Sequence, residues 1–221
     1  MGFLSALFFN LDEEKQKRIL DAALTEFAQE GFEHASTNEI VRRASIGKGR
    51  LFHYFSTKKR LFQFLLDYST DLVKTAYIQQ IDTSITDVFE RCRQASLLKL
   101  EFCRAYPHVY DFFGSAVFMD RNQQAAVVET RRKELSALAF RRLSMGINTA
   151  RFRPGIDCEK ALRLIIWSIQ GFESGLDLLS SGPEDQTTDQ WNDTQVLDQL
   201  DVYLGVLRTC YYREQSEEAY Q

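Results

Sequence analysis

The chain has 221 residues, 44% of them hydrophobic, with 27 Lys or Arg against 31 Asp or Glu for a net charge of −4. That much apolar material can bury a sizeable core, as one large helical domain or a small domain joined to a larger one. Only three prolines occur and Val/Ile/Thr alternation is nowhere sustained, which argues against a sheet and for an all-α chain.

The opening residues Gly2 to Asn10 are apolar, with Phe3, Leu4, Leu7, Phe8 and Phe9. No basic residue precedes them and they are too few to span a bilayer, so they read as an extra turn of helix packing on the body. From Asp12 to Gln29 the side chains Ile19, Leu20, Ala23, Leu24, Phe27 and Ala28 fall on one helix face, and Gly31 stops that helix. Ser36-Thr37-Asn38-Glu39 reads as a capping box: the Ser36 hydroxyl meets the Glu39 amide and the Glu39 carboxylate reaches back. It opens a short helix ending at Ala44. Ser45-Ile46-Gly47 supplies a tight turn, and Lys48 to Phe55 gives a third helix in which Leu51 and Phe55 pack inward while Lys48, Arg50, His53 and Tyr54 point elsewhere. Three helices, two of them short and joined by a three-residue turn, describe a helix-turn-helix.

Charge is segregated over the same stretch. Ile40 to Leu66 holds seven cations, Arg42, Arg43, Lys48, Arg50, Lys58, Lys59 and Arg60, and no acid, so the rest of the chain keeps 20 basic against 31 acidic residues. An acid-free basic island in an acidic chain points to a polyanion, most often DNA phosphate. The second helix of such a motif crosses the DNA backbone while the third enters the major groove with its N-terminal residues at the base edges. Thr37 is then expected to donate to phosphate. Lys48 and Arg50 are placed for guanine O6 and N7, and Gly49 for close approach of the backbones. His53 and Tyr54 suit phosphate or a thymine methyl group, with Tyr54 and Phe52 also candidates for packing. Lys58 stands in the first turn of the fourth helix with Lys59 and Arg60, where three cations oppose the helix dipole unless a phosphate lies near.

At these residues the chain resembles the tetracycline-repressor (TetR) family of bacterial transcription regulators. The resemblance rests on Ile19, Ala22, Phe27, Gly31, Thr37, Ile40, Ala44 and the run Ile46-Gly47-Lys48-Gly49-Arg50-Leu51-Phe52-His53-Tyr54-Phe55, followed by Lys58 and Leu61. Ser45 stands where the family usually has glycine, Gly47 where it has a Ser or Thr cap, and Arg50 where it has a small or hydroxyl residue. The family implies an all-α fold: a three-helix DNA-binding domain, here 1–57 with 1–11 as the apolar leader, and a larger helical regulatory and dimerisation domain, 58–221. It also implies a bacterial, cytoplasmic, dimeric repressor that leaves a pseudo-palindromic double-stranded operator when a small-molecule effector binds.

Further along, Leu61, Leu65, Tyr68 and Leu72 continue a fourth helix from Thr57, and Ile85 to Ala105 makes a fifth. Pro107 interrupts, Tyr110 to Phe118 forms a short sixth helix, and Gln123 to Asn148 a seventh with Arg131, Arg132, Lys133 and Glu134 on its solvated side. Phe152-Arg153-Pro154-Gly155 marks the next break. Asp157 to Leu179 and Gln190 to Tyr212 form the last two helices, separated by a polar loop from Ser180 to Asp189, and residues 214–221 are expected to fray. Trp167 and Phe172 help to wrap nearly all of the first of these helices in apolar side chains, with the small Gly171 and Gly175 on one face. Trp167, Gly171, Gly175, Leu176, Leu200 and Leu204 are therefore expected at a dimer interface, which the resemblance makes a four-helix bundle.

Phe102, Tyr106, His108, Tyr110, Phe112, Phe113, Phe118, Trp167, Gln170 and Glu173 are the candidates for a largely apolar effector pocket. No catalytic, cofactor or metal site is expected. His34, His53 and His108 fall in separate elements, Cys92, Cys103, Cys158 and Cys210 show no metal or redox spacing and read as buried reduced thiols, and no phosphate loop or nucleophile elbow occurs. The rival to a DNA-binding regulator is a helical sensor or interaction protein that keeps the motif without using it.

Overall fold

The computed structural model describes residues 7–119, 123–180 and 193–213; the side chains of 115–119, 123, 125, 174–180, 193 and 194 lie outside what it describes. Among the described residues nine α-helices follow one another: α1 Glu13–His34, α2 Thr37–Arg43, α3 Lys48–Phe55, α4 Lys58–Ala76, α5 Val88–Ala105, α6 Pro107–Met119, α7 Gln123–Ser144, α8 Cys158–Ser180 and α9 Asp193–Tyr211. A helical turn at 7–9 precedes them. Among the described residues there is no strand, only a single bridge between Phe152 and Tyr212.

Each start and stop has a local cause. The Asp12 carboxylate accepts from the Lys15 amide at 2.9 Å, and Glu13 and Glu14 in the first turn suit the α1 dipole. Ile19, Leu20, Ala23, Leu24, Phe27 and Ala28 are buried, as their spacing predicts. Gly31 takes φ 69°, which breaks the regular helix, but one further turn runs on to His34. Pro107 does interrupt, with α5 ending at Ala105; it occupies the first position of α6, where its missing N–H costs nothing, so that helix begins three residues ahead of Tyr110. α5 starts at Val88 rather than Ile85 because the Asp87 carboxylate caps the Phe89 and Glu90 amides. α7 ends at Ser144 rather than Asn148, ahead of Gly146 at φ 70°.

The chain forms two compact units, residues 1–76 with 101–137, and 77–100 with 138–221. α4 and α6 lie in the same unit as the three N-terminal helices. In the first unit Phe62 lies 5.2 Å from Phe27, 5.2 Å from Phe32 and 5.5 Å from Phe112, so rings from α1, α4 and α6 share one core.

The core of the second unit gathers Val88, Phe89, Phe152, Ile165, Ile166, Leu200, Leu204 and Tyr212. Arg91 is fully buried within it. Its guanidinium donates to the carbonyls of Thr83, Ile85, Arg142, Leu143 and Met145, filling the C-terminal end of α7 and the loop before α5. Burial pushes its pKa down. Asp87, also buried, pairs with Arg151 at 2.5 Å and Arg208 at 3.4 Å. Among the described residues no helix is long and apolar enough to cross a membrane.

Candidate nucleic-acid interface

The helix-turn-helix is held by one buried carboxylate and one half-buried one. The Ser36 hydroxyl accepts from the Glu39 amide at 3.4 Å, which is half of the capping box. The other half is supplied differently: the Ser36 amide donates to Glu26 of α1 at 2.8 Å, while the Glu39 carboxylate takes Arg42 at 2.5 Å and Arg43 at 2.8 Å. Those two guanidiniums hold the Glu39 carboxyl at about 2. Glu26 is 3% exposed, pairs with Arg43 at 3.6 Å, and ties α1 to the start of α2.

The turn into α3 carries strain at both ends of the helix. Ser45 sits at φ 53° and Ser56, which follows Phe55, at φ 59° and ψ −46°. The Thr57 amide donates to the Phe55 carbonyl at 2.6 Å, so Ser56 is the centre of a γ-turn with positive φ, a rare and strained form. Gly47 precedes α3 in an extended conformation and offers no side-chain cap, so the first amides of α3 have no side-chain acceptor. Lys48, Gly49 and Arg50 fill the first turn and are exposed. A Cβ built at Gly49 would meet nothing within 4 Å. The chain's own packing therefore gives no reason for glycine there, although glycine costs about 1 kcal/mol relative to alanine inside a helix. Thr37 is half-buried at the first position of α2, and His53 is exposed beside Tyr54, ring centroids 5.7 Å apart.

Two candidate contacts fall elsewhere than their spacing suggests. Tyr54 does not point outward with Lys48 and Arg50: it is 7% exposed and lies against Phe8 and Phe55 at 6.2 Å each, a packing residue. Lys58 does not face solvent freely. Its ammonium donates to the carbonyls of Glu33 and Ala35 at 2.9 and 2.8 Å and lies 5.2 Å from the Phe32 ring centre, closing the end of α1. Of the seven cations in the basic island, Arg42, Arg43 and Lys58 thus have intramolecular partners, and Lys48, Arg50, Lys59 and Arg60 remain exposed and form no ion pair among the described residues. Lys59 and Arg60, which the sequence reading leaves out of the contact set, share the first turn of α4 with Thr57 as its cap. Neither α3 nor α4 has an acid in its first turn, so Lys48, Arg50, Lys59 and Arg60 oppose the helix dipoles with no carboxylate paired to them among the described residues.

The effector candidates divide between the units. In the first, Phe102 and Phe112 are buried core residues and Phe113 is half-buried; Tyr106 is exposed, and the His108 ring nitrogen is 3.1 Å from the Thr25 hydroxyl, linking α6 to α1. In the second, Trp167 and Gln170 are exposed, and Glu173 accepts from Ser96 at 2.9 Å and Lys99 at 2.8 Å. Phe118, Gly175 and Leu176 have side chains outside the described residues. Leu200 and Leu204 face the core of their own unit, at variance with an interface role, because the outward stripe of α9 is instead Val202, Tyr203 and Val206. Leu164 and Trp167 of α8 are exposed too, α8 meets α9 through Phe172 and Tyr203 with ring centres 5.0 Å apart, and a Cβ at Gly171 would meet nothing within 4 Å. The thiols also differ from expectation: Cys92 is buried, with its pKa pushed up to about 12 by desolvation, but Cys210 is exposed.

Comparison with known proteins bears on this arrangement. Residues 19–64 match the model of the bacterial regulatory proteins of the tetR family. The HTH-type transcriptional repressor KstR2 of Mycolicibacterium smegmatis is 28% identical over 154 residues, which is 68% of this chain and 74% of that protein. Over residues 19–64 the chain is a TetR-family sequence. With that helix-turn-helix segment it is, like its relatives, a DNA-binding transcriptional regulator and not an enzyme. A TetR family transcriptional regulator from Chloroflexus aurantiacus shares the fold with a TM-score of 0.65 at 22% identity, over 95% of this chain and 98% of that one. AibR, solved in complex with isovaleryl coenzyme A and operator DNA, does so with a TM-score of 0.59 at 19% identity, over 87% and 97%.

Proposed function

We propose that this TetR-family protein is a dimeric, cytoplasmic repressor. It reads a pseudo-palindromic operator through Lys48, Gly49 and Arg50, steadied on phosphate by Thr37, His53, Lys59 and Arg60, and leaves it when a small, largely apolar molecule binds the helical body. The observation that carries the reading is the set of four exposed cations at the starts of α3 and α4, with the α3 amides free of a side-chain cap and a glycine there with open space around it. A phosphate there meets donors, positive dipole ends and cations together. Two-fold pairing is supported by the α8–α9 face, where Val202 is 63%, Trp167 59% and Val206 57% exposed in the single chain. Apolar side chains presented together on two adjacent helices suit a four-helix bundle between subunits. Release by an effector is supported by the name of AibR's ligand and by the repressor name of the M. smegmatis relative. Allosteric coupling of about 1 to 3 kcal/mol would suffice to relieve repression.

Selection of bound duplexes from a random pool, followed by sedimentation and a salt titration, tests the proposal. The expected outcome is a two-fold site with half-sites about one helical turn or slightly more apart, bound by two subunits. Four cations per subunit set the log-log salt slope at about −7 or shallower for a dimer, whereas seven per subunit would allow about −13. A single asymmetric site, or a flat salt response, would overturn it.

A further inference from the structure

We propose that the segment ahead of α1 is a working part of the DNA reader: Phe8 and the Gln16 side chain hold the recognition helix α3 in the attitude at which it meets DNA. This rests on the reading of α3 as the helix that contacts bases. Phe8 is 0% exposed although it stands five residues before α1. Its ring centre lies 5.3 Å from Phe55, 6.2 Å from Tyr54 and 5.3 Å from Phe64, so one side chain from outside the three-helix motif touches the last turn of α3 and the middle of α4 at once. Phe64 passes the contact on to Tyr68, stacked at 6.4 Å.

α3 depends on this contact more than a longer helix would. Eight residues are too few for a helix to be stable alone, so tertiary packing must hold it. Its buried side chains are Leu51, Tyr54 and Phe55, and Phe8 touches two of the three. The strained Ser56 turn that follows gives α3 no continuous backbone support from α4. The leader, in turn, is fastened from α1. The Gln16 amide donates to the Phe9 and Leu11 carbonyls at 3.2 and 2.8 Å, and the Leu11 amide closes a turn on the Phe8 carbonyl at 3.1 Å. Phe8 and Gln16 touch no base in this scheme. They are positioning residues, acting through Tyr54 and Phe55 on Lys48 and Arg50 one to two helical turns away.

The test uses the full chain, the duplex that the wild-type protein selects from a random pool, and a random duplex of equal length. Phe8→Ala is expected to raise Kd for the selected duplex by about tenfold or more but for random duplex by less than about threefold, because Lys59 and Arg60 on α4 keep their phosphates. Phe8→Leu, which refills the space, is expected to stay within about threefold of wild type on both. Hydrogen exchange should quicken at Leu51–Phe55 and not at Ile19–Ala28. Equal losses on both duplexes, or equal exchange changes in both segments, would show a merely structural role and overturn the inference. Should Phe8→Ala not fold, Gln16→Ala decides, since it loosens the leader without opening a cavity: a loss confined to the selected duplex upholds the inference, and unchanged binding overturns it. A wild-type protein that selects no sequence fails at the earlier step, and takes the inference with it.

Discussion

Arg91 and Asp87 in the second unit are met by the chain's own carbonyls, amides and guanidiniums, whereas Lys48, Arg50, Lys59 and Arg60 in the first face solvent with no ion pair among the described residues. For apolar surface the positions are reversed. The rings of the first unit are gathered inward around Phe62 and Phe8, while the second leaves Val202, Tyr203, Val206, Leu164 and Trp167 outside. A charge buried and fully bonded fixes how helices pack; a charge left solvated and opposed by a helix dipole has its partner elsewhere. The first unit offers solvated cations and the second exposed apolar side chains, as the proposed dimeric DNA-binding regulator requires.

The largest effect expected from breaking this comparison is in the second unit. Arg91→Ala strips the donor from five carbonyls at the end of α7 and before α5, and leaves a cavity where a long side chain was fully buried. Unsatisfied buried acceptors and the lost packing together should cost about 3 kcal/mol or more of folding stability, read from denaturant midpoints. The fraction that stays folded should retain wild-type affinity per dimer, since Arg91 is far in role from the basic face. Next in size, Val206→Asp puts a carboxylate on the exposed apolar stripe. If that stripe pairs two subunits, like charges face each other and dissociation rises by about 2 to 3 kcal/mol, seen as monomer in sedimentation at concentrations where the wild type is dimeric. Unchanged sedimentation would place the interface elsewhere.

Within the first unit the comparison sharpens between reading, positioning and closing residues. Arg50→Ala should relax preference at one base position by about 1 to 3 kcal/mol, and Lys59→Ala should weaken all sequences alike. Lys58→Ala should instead lower thermal stability, because its ammonium bonds the Glu33 and Ala35 carbonyls that end α1. If Lys58→Ala left stability untouched and reduced DNA affinity as Lys59→Ala does, the closure of α1 would not be its main role.

Periodicity carried the helices well, because α1, α3 and α4 bury one stripe each and the stripe is visible in the chain as Ile19-Leu20-Ala23-Leu24-Phe27 or Leu51-Phe55. Within the helix-turn-helix the departures are of one kind: a side chain that reaches across the fold to a backbone group or ring distant in sequence. Lys58 finds carbonyls 23 and 25 residues away, Ser36 is capped by Glu26 rather than by its box partner Glu39, and Tyr54 is covered by Phe8. No local pattern encodes those meetings. The acid-free stretch was legible as a charge pattern, but its reach was overstated by three cations, since Glu39 stands one residue outside it and takes two of them. The outward stripe of α9 is masked in the sequence because Leu200 and Leu204 are the larger aliphatics, while Val202 and Val206, two positions on, face out.

The smallest expected effect concerns the turn between α2 and α3. Ser45 holds φ 53° with an exposed side chain, at a position where family resemblance leads one to expect glycine. The left-handed conformation costs a residue with a Cβ about 1 to 2 kcal/mol, and Ser45→Gly removes that cost. The same change widens the unfolded ensemble, which takes back about 0.5 to 1 kcal/mol. The net gain should be about 0.5 to 1 kcal/mol, appearing as a higher denaturant midpoint with an unchanged slope. DNA affinity should hold, because the turn geometry is the same and Ser45 is not among the residues placed against bases or phosphate. A lower midpoint would mean that the serine hydroxyl stabilises the turn by more than the strain it carries. A lower operator affinity at unchanged stability would mean that Ser45 itself meets the DNA, extending the solvated polar face of the first unit back from α3 into the turn.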